Sequence, residues 1–395
     1  ESDNYGLSIN KFQILNGNIN YTDESTNTQV KITGLNHTLS GELDAEKAVL
    51  HTNTRISSID GYYEGIPYLS NIAVAYNANI IADIKNEIYT LGKNELILNN
   101  LFIGFDGSVS YVNEDLNLVL TFHAQGNKFK DLLSLVPAIY SKDFDKITTD
   151  GTFSINGNIK GIYNETTIPT FDFTSSIENG LFQYPGLPKS VNNIFLTSNI
   201  TNKGGSIDNT IISISKFSMQ LGDNPMAANF KLTTPISDPN IKTRITGDFN
   251  LSEIKDFYPL PKNDELRGEL VLDVNLEGKL SSIENEKYNE FIAMGSIVAK
   301  DITYNTNVLI DPVTIKNMQL NFSPRYLDLV DFKGISGKSD IQATGKIEDY
   351  LDYYLSSGTL SGQLITNSKY LNIDELIGKT SESNIPDTTV AHENT

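Results

Sequence analysis

An eight-residue pattern of apolar and polar positions recurs along the chain. In Leu7–Ile14 and in Ile212–Met219, apolar side chains occupy positions one, three, six and eight. Leu96–Ile103 has the same pattern, and Leu327–Gly334 keeps it except for a glycine at the last position. Alternation with a period of two is typical of a half-buried strand. The extra residue between positions three and six predicts a β-bulge or a short break that keeps all four apolar side chains on one face.

A second apolar segment follows each copy of the pattern and predicts a partner strand. Turn composition precedes two of these segments, because Asp106-Gly107 and Gly222–Pro225 are rich in the residues that tight turns favour. The sequence therefore predicts repeated strand–turn–strand units. Their second strands are Gly17–Tyr21, Gly107–Tyr111, Ala228–Leu232 and Ile341–Gly345.

The spacing of the copies predicts domain-sized units. The last three copies begin at residues 96, 212 and 327, which are 116 and 115 residues apart. Short amphipathic segments near the ends of these regions predict closing helices, with Ser252 as one N-cap. We expect β repeat units at 1–145, 146–260 and 261–378, and a disordered polar tail at 379–395. The predicted helices are Phe129–Pro137, Leu251–Tyr258 and Leu371–Ile377.

The predicted fold class is mainly β: an elongated array of repeated antiparallel β-sheet units that forms a curved sheet or groove, with a few short helices. We expect roughly 45–55% strand and roughly 8–15% helix, which departs from the usual mixture. So few helices would leave much apolar sheet surface for a second sheet or a ligand to cover. The positions predicted to line a lipid groove are Ile9, Phe12, Ile14, Leu98, Leu101, Ile103, Ile214, Phe217, Met219, Leu329 and Phe332.

Composition narrows the classes of function. The net charge is −19 and no basic stripe is present, which argues against nucleic-acid binding. The chain has no cysteine, so disulfides, thiolate metal sites and thiol nucleophiles are excluded. The sequence contains no apolar stretch of about 18 residues, so it predicts no membrane-spanning helix. The sequence begins at Glu1 in polar sequence without a signal peptide, so we expect a fragment whose anchor lies upstream.

Motifs for catalysis and for cofactor binding are missing from the sequence. No two of the four histidines, at positions 37, 51, 123 and 392, are spaced as a helical metal pair. Gly378-Lys-Thr380 lacks the upstream glycine of a phosphate loop, and no Gly-x-Ser-x-Gly motif is present. We therefore expect a protein that is not an enzyme and has no metal or cofactor.

Several pairs of acidic residues leave open an alternative function that acts on carbohydrate. Two suitably placed carboxylates are the machinery of a glycoside hydrolase, and their distance is set only by the fold. Because the chain has no tryptophan, its 19 tyrosines would have to stack against sugars. A carbohydrate-acting enzyme or an adhesin thus remains an alternative. The pairs are Asp143/Asp145, Asp328/Asp331 and Glu284/Glu286.

Four segments carry a further set of strand and turn patterns: Leu7–Asp23, Leu132–Pro137, Asp150–Gly161 and Asn179–Pro188. These segments resemble the AsmA family, the bacterial envelope proteins related to TamB. The likeness covers most of 1–378, and the richness in asparagine and isoleucine is similar to that of Bacteroidetes members. It brings no catalytic residue with it.

This resemblance implies a periplasmic body that an N-terminal helix, absent from this chain, anchors to the inner membrane. It further implies a role in outer-membrane biogenesis, with phospholipid or another acyl-chain lipid moving along a groove of β-sheet units. The first alternative is a structural or assembly factor that binds outer-membrane assembly proteins through sheet edges.

Overall fold

A single antiparallel sheet dominates the computed structural model, which describes residues 7–44, 46–63, 66–133, 147–258, 260–261, 264–306, 309–355 and 359–372. Nineteen strands lie in this part of the chain. The early strands are β1 (Leu7–Asp23), β2 (Thr28–Leu43), β3 (Lys47–Tyr63), β4 (Ile66–Asp83), β5 (Ile88–Leu98), β6 (Leu101–Val112), β7 (Asp115–Lys128), β8 (Thr148–Tyr163) and β9 (Ile168–Gln183). The later strands are β10 (Val191–Gly205), β11 (Thr210–Leu221), β12 (Asn224–Thr233), β13 (Asn240–Asn250), β14 (Glu265–Lys279), β15 (Ile292–Asn305), β16 (Val313–Phe322), β17 (Tyr326–Ser336), β18 (Ser339–Glu348) and β19 (Ser361–Asn367).

The strands follow one another through the sheet in chain order. Each strand pairs antiparallel with the next, from β1–β2 to β18–β19, and the sheet is not closed. Such a meander needs only short connections between neighbouring strands. The prediction of a mainly β chain with few short helices is confirmed. The expected strand content was too low, because 74% of the described residues are in strands and single strands run on for up to 18 residues.

The predicted bulges are confirmed in three copies of the eight-residue pattern. The register shifts between Ile9 and Phe12 in β1, between Ile214 and Phe217 in β11, and between Leu329 and Phe332 in β17. These are positions three and six of the pattern in each copy. One extra residue lets two apolar pairs that are out of phase point to the same side of the sheet.

The remaining copy, Leu96–Ile103, contains a chain reversal instead of a bulge within one continuous strand. β5 ends at Leu98 and β6 begins at Leu101, and these two residues pair with each other across the turn. Asn99 has φ 54°, a left-handed conformation that asparagine tolerates better than most residues. The tight turn keeps positions three and six on one face by a route different from a bulge.

Two predicted turns are absent. Gly17–Tyr21 is a strand as predicted, but it continues β1 with no turn before it, and Asp106-Gly107 lies within β6. Gly107 has φ 140°, and a Cβ atom there would lie 1.9 Å from the Val119 carbonyl oxygen. Glycine is required here by the close approach of the neighbouring strand. The turn predicted at Gly222–Pro225 is confirmed, since β11 ends at Leu221 and β12 begins at Asn224.

Four short α-helices accompany the sheet in the described residues: α1 (Phe129–Leu133), α2 (Ile254–Phe257), α3 (Leu280–Glu284) and α4 (Tyr350–Leu355). Three single 3-10 turns in this part of the chain lie at Ile207–Asn209, Leu251–Glu253 and Tyr288–Glu290. The helices α1 and α2 fall in predicted helical segments. The predicted cap, Ser252, was wrong by two residues. Asn250 caps the 3-10 turn Leu251–Glu253 that leads into α2, and its side-chain oxygen accepts a hydrogen bond from the Ser252 amide at 3.1 Å. Most of the third predicted helix, from residue 373 onward, lies outside the described residues.

The predicted unit boundaries fall within a continuous ladder of strands. β7 pairs with β8 across the boundary at 145/146, and β13 pairs with β14 across the boundary at 260/261. The division into three units therefore stays a prediction from sequence similarity. The tail predicted at 379–395 lies outside the described residues.

Candidate lipid-binding face

All eleven predicted groove residues lie on one side of the sheet. Directly paired residues of antiparallel strands point to the same face, so the register assigns each side chain. One row runs from Ile14 through His37, Thr54, Tyr76 and Leu96. Leu96 in turn pairs with Ile103. We call this side the apolar face and the opposite side the polar face.

A second row continues the apolar face to the last strand. Met219 pairs with Met226, and the pairing then passes through Gly247, Leu272 and Ile297. The final members of this row are Leu320, Leu329, Gly345 and Leu364. With 18 strand spacings of about 4.8 Å, the face extends roughly 85 Å along the sheet. The register thus brings the predicted positions from distant repeats onto one surface, and their role as a lipid groove remains a prediction.

The apolar face is free of charge over this length. From Ile9 in β1 to Leu364 in β19, its paired positions carry no Asp, Glu, Lys or Arg within the described strands, except Asp23 at the end of β1. Its polar positions are neutral, as in the pair Ser175–Ser198, whose hydroxyl oxygens are 2.6 Å apart. An uncharged surface of this extent suits a hydrocarbon neighbour, because burying an unpaired charge is costly.

A row of aromatic rings crosses the apolar face and was missed by the sequence analysis. Tyr76 stacks on Phe105 with ring centroids 6.1 Å apart, and Phe105 lies 5.9 Å from Phe122. Phe122 lies 5.8 Å from Phe173, which contacts Phe171 at 6.1 Å. These residues come from β4, β6, β7 and β9. Only the alternation in Phe171–Phe173 was visible as a signal, because the other contacts depend on strand register.

Two buried clusters cover parts of the apolar face. The first packs Phe129 of α1 and Phe257 of α2 against Leu101 and Ile194. The second packs Ile283 of α3 and Tyr350 of α4 against Ala293. They lie at opposite ends of the strands, the first beside β6–β11 and the second beside β13–β17. Of the predicted groove residues, Leu101, Ile103, Phe217 and Met219 belong to or pack against the first cluster.

Polar contacts hold the helices in place over the sheet. The Lys189 ammonium lies 3.1 Å from a carboxylate oxygen of Glu253 and 3.1 Å from one of Asp256. Its hydrogen bonds, the one to Glu253 most and the one to Asp256 next, raise the pKa of Lys189. In the second cluster, the Tyr350 hydroxyl donates to the Ser323 carbonyl oxygen at 2.9 Å, and burial raises the pKa of this tyrosine.

The rest of the apolar face has no second layer among the described residues. Ile200, paired with Phe173 and Ile212 in the middle of the face, keeps 39% of its surface exposed. Phe12, one of the predicted groove residues, lies in the first strand of the sheet and is 50% exposed. Large apolar side chains that stay accessible on a continuous uncharged surface are typical of a binding surface.

The polar face carries the charged ladders of the sheet. Arg244 donates two hydrogen bonds to Asp273, at 3.2 and 2.9 Å, and Lys242 lies 2.7 Å from Glu277. A shallow depression of about 710 Å³ on this face lies between Phe195 and Asp273. The polar face therefore presents a water-compatible exterior, and the two faces of the sheet differ sharply in chemistry.

The residues considered for catalysis or metal binding do not assemble into a site in the described part of the chain. His37 lies on the apolar face with its Nδ1 2.9 Å from the Thr54 hydroxyl, whereas His51 lies on the polar face. Asp331 accepts a hydrogen bond from the Asn317 side-chain amide at 2.5 Å. No group of three or more potential metal ligands occurs in the described ranges. Asp143 and Asp145 lie outside them.

Comparisons with known proteins add no identification. Searches of protein-family models, of curated proteins and of solved structures found no match. Among the described residues, no helix is long and apolar enough to cross a membrane.

Proposed function

We propose that this chain is the periplasmic part of an AsmA-like envelope protein that handles phospholipid during outer-membrane biogenesis. The single observation that carries the proposal is the uncharged apolar face, which runs through all 19 described strands of an open sheet. The resemblance of the chain to the AsmA family supports the location and the process.

The mechanism is passive. Acyl chains lie on the apolar face while their headgroups stay in water at the edges of the sheet. Each CH₂ group removed from water contributes about 0.8 kcal/mol, so a chain of many such groups binds without any specific polar contact. The absence of charge along the face lets a lipid shift from strand to strand without meeting a desolvation barrier.

A pair of matched substitutions tests this function. Ile200 on the apolar face and Val271 on the polar face are 39% and 43% exposed, so Asp at either position is tolerated by the fold. We expect Ile200→Asp to lower the number of phospholipids retained per chain in native mass spectrometry, because a carboxylate would face the acyl chain. If the face holds a single lipid site, we expect Ile200→Asp to lower its affinity for phospholipid at least about tenfold.

Val271→Asp serves as the control and should retain the unmodified protein's lipid content. Circular dichroism spectra of both variants establish that each is folded. A purified chain without phospholipid after exposure to vesicles, or an equal loss of lipid in both variants, would refute lipid handling on the apolar face.

The edge strands support a second candidate, an assembly factor for outer-membrane proteins. Within the described residues, the 17-residue β1 pairs only with β2, so its other side has free backbone donors and acceptors. An extended segment of a client could add to this edge. Crosslinks from β1 to outer-membrane protein precursors in a preparation without bound lipid would favour this function over the first.

A further inference from the structure

One long edge of the sheet is strongly acidic over its first half. In a meander, every second connection lies at the same edge, so the connections β2–β3, β4–β5, β6–β7 and β8–β9 are neighbours. They bring together seven acidic side chains and only two lysines, and one of these lysines, Lys85, lies 3.6 Å from Glu46. We call this edge the acidic rim. Its charged residues are Asp44, Glu46, Lys47, Asp83, Lys85, Glu87, Glu114, Asp115 and Glu165.

Tyrosines line the apolar face directly beside the acidic rim. Tyr111, near the end of β6, pairs with Leu116, which pairs with Tyr163 at the end of β8. The two tyrosines are 45% and 50% exposed, and their hydroxyls have no hydrogen-bond partner among the described residues. A third tyrosine, Tyr89, lies at the start of β5 on the same face. Tyrosine rings with a polar tip are typical of the level at which a lipid headgroup meets its acyl chains.

The opposite edge of the same strands differs in charge and in cover. Its described charged residues have both signs, as in Asp23, Glu24, Lys128 and Lys130. There, α1 and α2 pack over the apolar face beside β6–β11. At the acidic rim of these strands, no described helix covers the face. A headgroup reaching water from β6–β9 therefore does so at the acidic rim.

We propose that this rim selects the headgroup, so that the protein prefers amine-bearing zwitterionic phospholipid over anionic phospholipid. The inference rests on the proposed lipid function. An ammonium group beside several carboxylates is attracted, while a headgroup with only negative charge is repelled. Hydrogen bonds from Asn86 lower the pKa of Asp83 from a value already well below neutral pH, so this carboxylate is ionised in the test conditions. Because the rim is solvent-exposed, the preference weakens with salt.

The test offers the whole chain a choice of headgroup. Vesicles contain equal amounts of phosphatidylethanolamine and phosphatidylglycerol with identical oleoyl chains, and the lipid on the re-isolated protein is measured by mass spectrometry. We expect about fivefold enrichment of phosphatidylethanolamine at about 0.05 M salt and loss of this enrichment at about 1 M salt.

Two triple variants with the same change in net charge locate the effect. Glu87→Lys, Glu114→Lys and Glu165→Lys together alter the rim, and we expect them to abolish or reverse the preference. Glu95→Lys, Asp106→Lys and Glu269→Lys alter exposed positions of the polar face and should leave it unchanged.

The outcomes separate this inference from the function on which it rests. Bound lipid without enrichment of phosphatidylethanolamine, or enrichment of phosphatidylglycerol, overturns the headgroup preference and leaves lipid handling intact. If both triple variants reduce the enrichment of phosphatidylethanolamine equally, the net charge of the protein determines the preference. That result overturns the specific role of the rim. If neither lipid is bound, the proposed function itself fails.

Discussion

Asparagine has two roles in the irregular parts of this sheet. At bulges, Asn16, Asn71, Asn179 and Asn193 have φ near 50°, which this residue type adopts at lower cost than most. Elsewhere its side chain replaces a missing backbone partner. Asn127 donates to the Phe102 carbonyl oxygen at 3.0 Å and accepts from the Phe102 amide at 2.8 Å. The abundance of asparagine is therefore tied to the bulges and strand ends that keep the apolar side chains on one face.

Replacing the buried Asn127 tests this role. Asn127 is 5% exposed, so Asn127→Ala leaves one donor and one acceptor of the partly buried Phe102 backbone unpaired. We expect a loss of about 2–3 kcal/mol in the free energy of unfolding, measured with urea. Asn158→Ala, on the exposed polar face of β8, should change stability by less than about 0.5 kcal/mol. A similar small effect at both positions would show that Phe102 does not depend on Asn127.

At the scale of the element, the bulge in β11 determines which side chains share a face. Ile214 and Phe217 are three residues apart, while their partners in β12, Phe230 and Ala228, are two apart. The same offset separates the partners Ser198 and Leu196 in β10. One residue of β11 is thus extra relative to both neighbours, and its removal would give a regular strand with an unchanged apolar face.

Two deletions, two residues apart in sequence, distinguish the bulge from the regular strand. Deleting Ser215 removes the extra residue, and we expect it to cost less than about 2 kcal/mol. Deleting Ser213 makes Ile212 and Ile214 adjacent, which turns one of them toward the polar face, so we expect a loss above about 4 kcal/mol or failure to fold. Thermal unfolding followed by circular dichroism measures both. Equal damage by the two deletions would contradict this reading of the bulge.

For the whole molecule, the two buried clusters make stability local. Each strand pairs only with its neighbours in sequence, as in a linear repeat array, and the clusters centre on different helices. The described residues include no second layer that joins them. The two regions should therefore open separately, as quasi-independent cooperative units.

One truncation in each cluster tests this independence. Phe257 is 2% exposed in the first cluster, and Leu351 is 4% exposed in the second. Phe257→Ala should cost about 3–5 kcal/mol and speed hydrogen exchange in β8–β10, while Leu351→Ala should cost about 2–5 kcal/mol and act on β15–β17. Hydrogen exchange read by mass spectrometry resolves the two regions. If either variant accelerates exchange equally in both, the sheet unfolds as one unit.

The sequence by itself determined the strand character, the bulge positions and the set of apolar side chains. The signals are local, since a phase shift such as that between Ile9 and Phe12 can be read from a few residues. The meaning of a glycine in the sequence was ambiguous. Asp106-Gly107 is typical of a turn, but Gly107 is needed because a neighbouring strand approaches its backbone closely. The same apolar spacing makes a turn at Leu98–Leu101 and a bulge at Ile214–Phe217, and only the turn-favouring Asn99-Asn100 pair separates the two sequences.

Tertiary structure alone decided how these local pieces add up to a surface. Register between strands brought Tyr76, Phe105, Phe122 and Phe173 into one row, although up to 97 residues separate them in sequence. The placement of α1–α4 decided which parts of the apolar face are covered, and the meander gathered the acidic connections at one edge. Local alternation fixes which side chains avoid water, but cross-strand pairing and packing fix which of them meet.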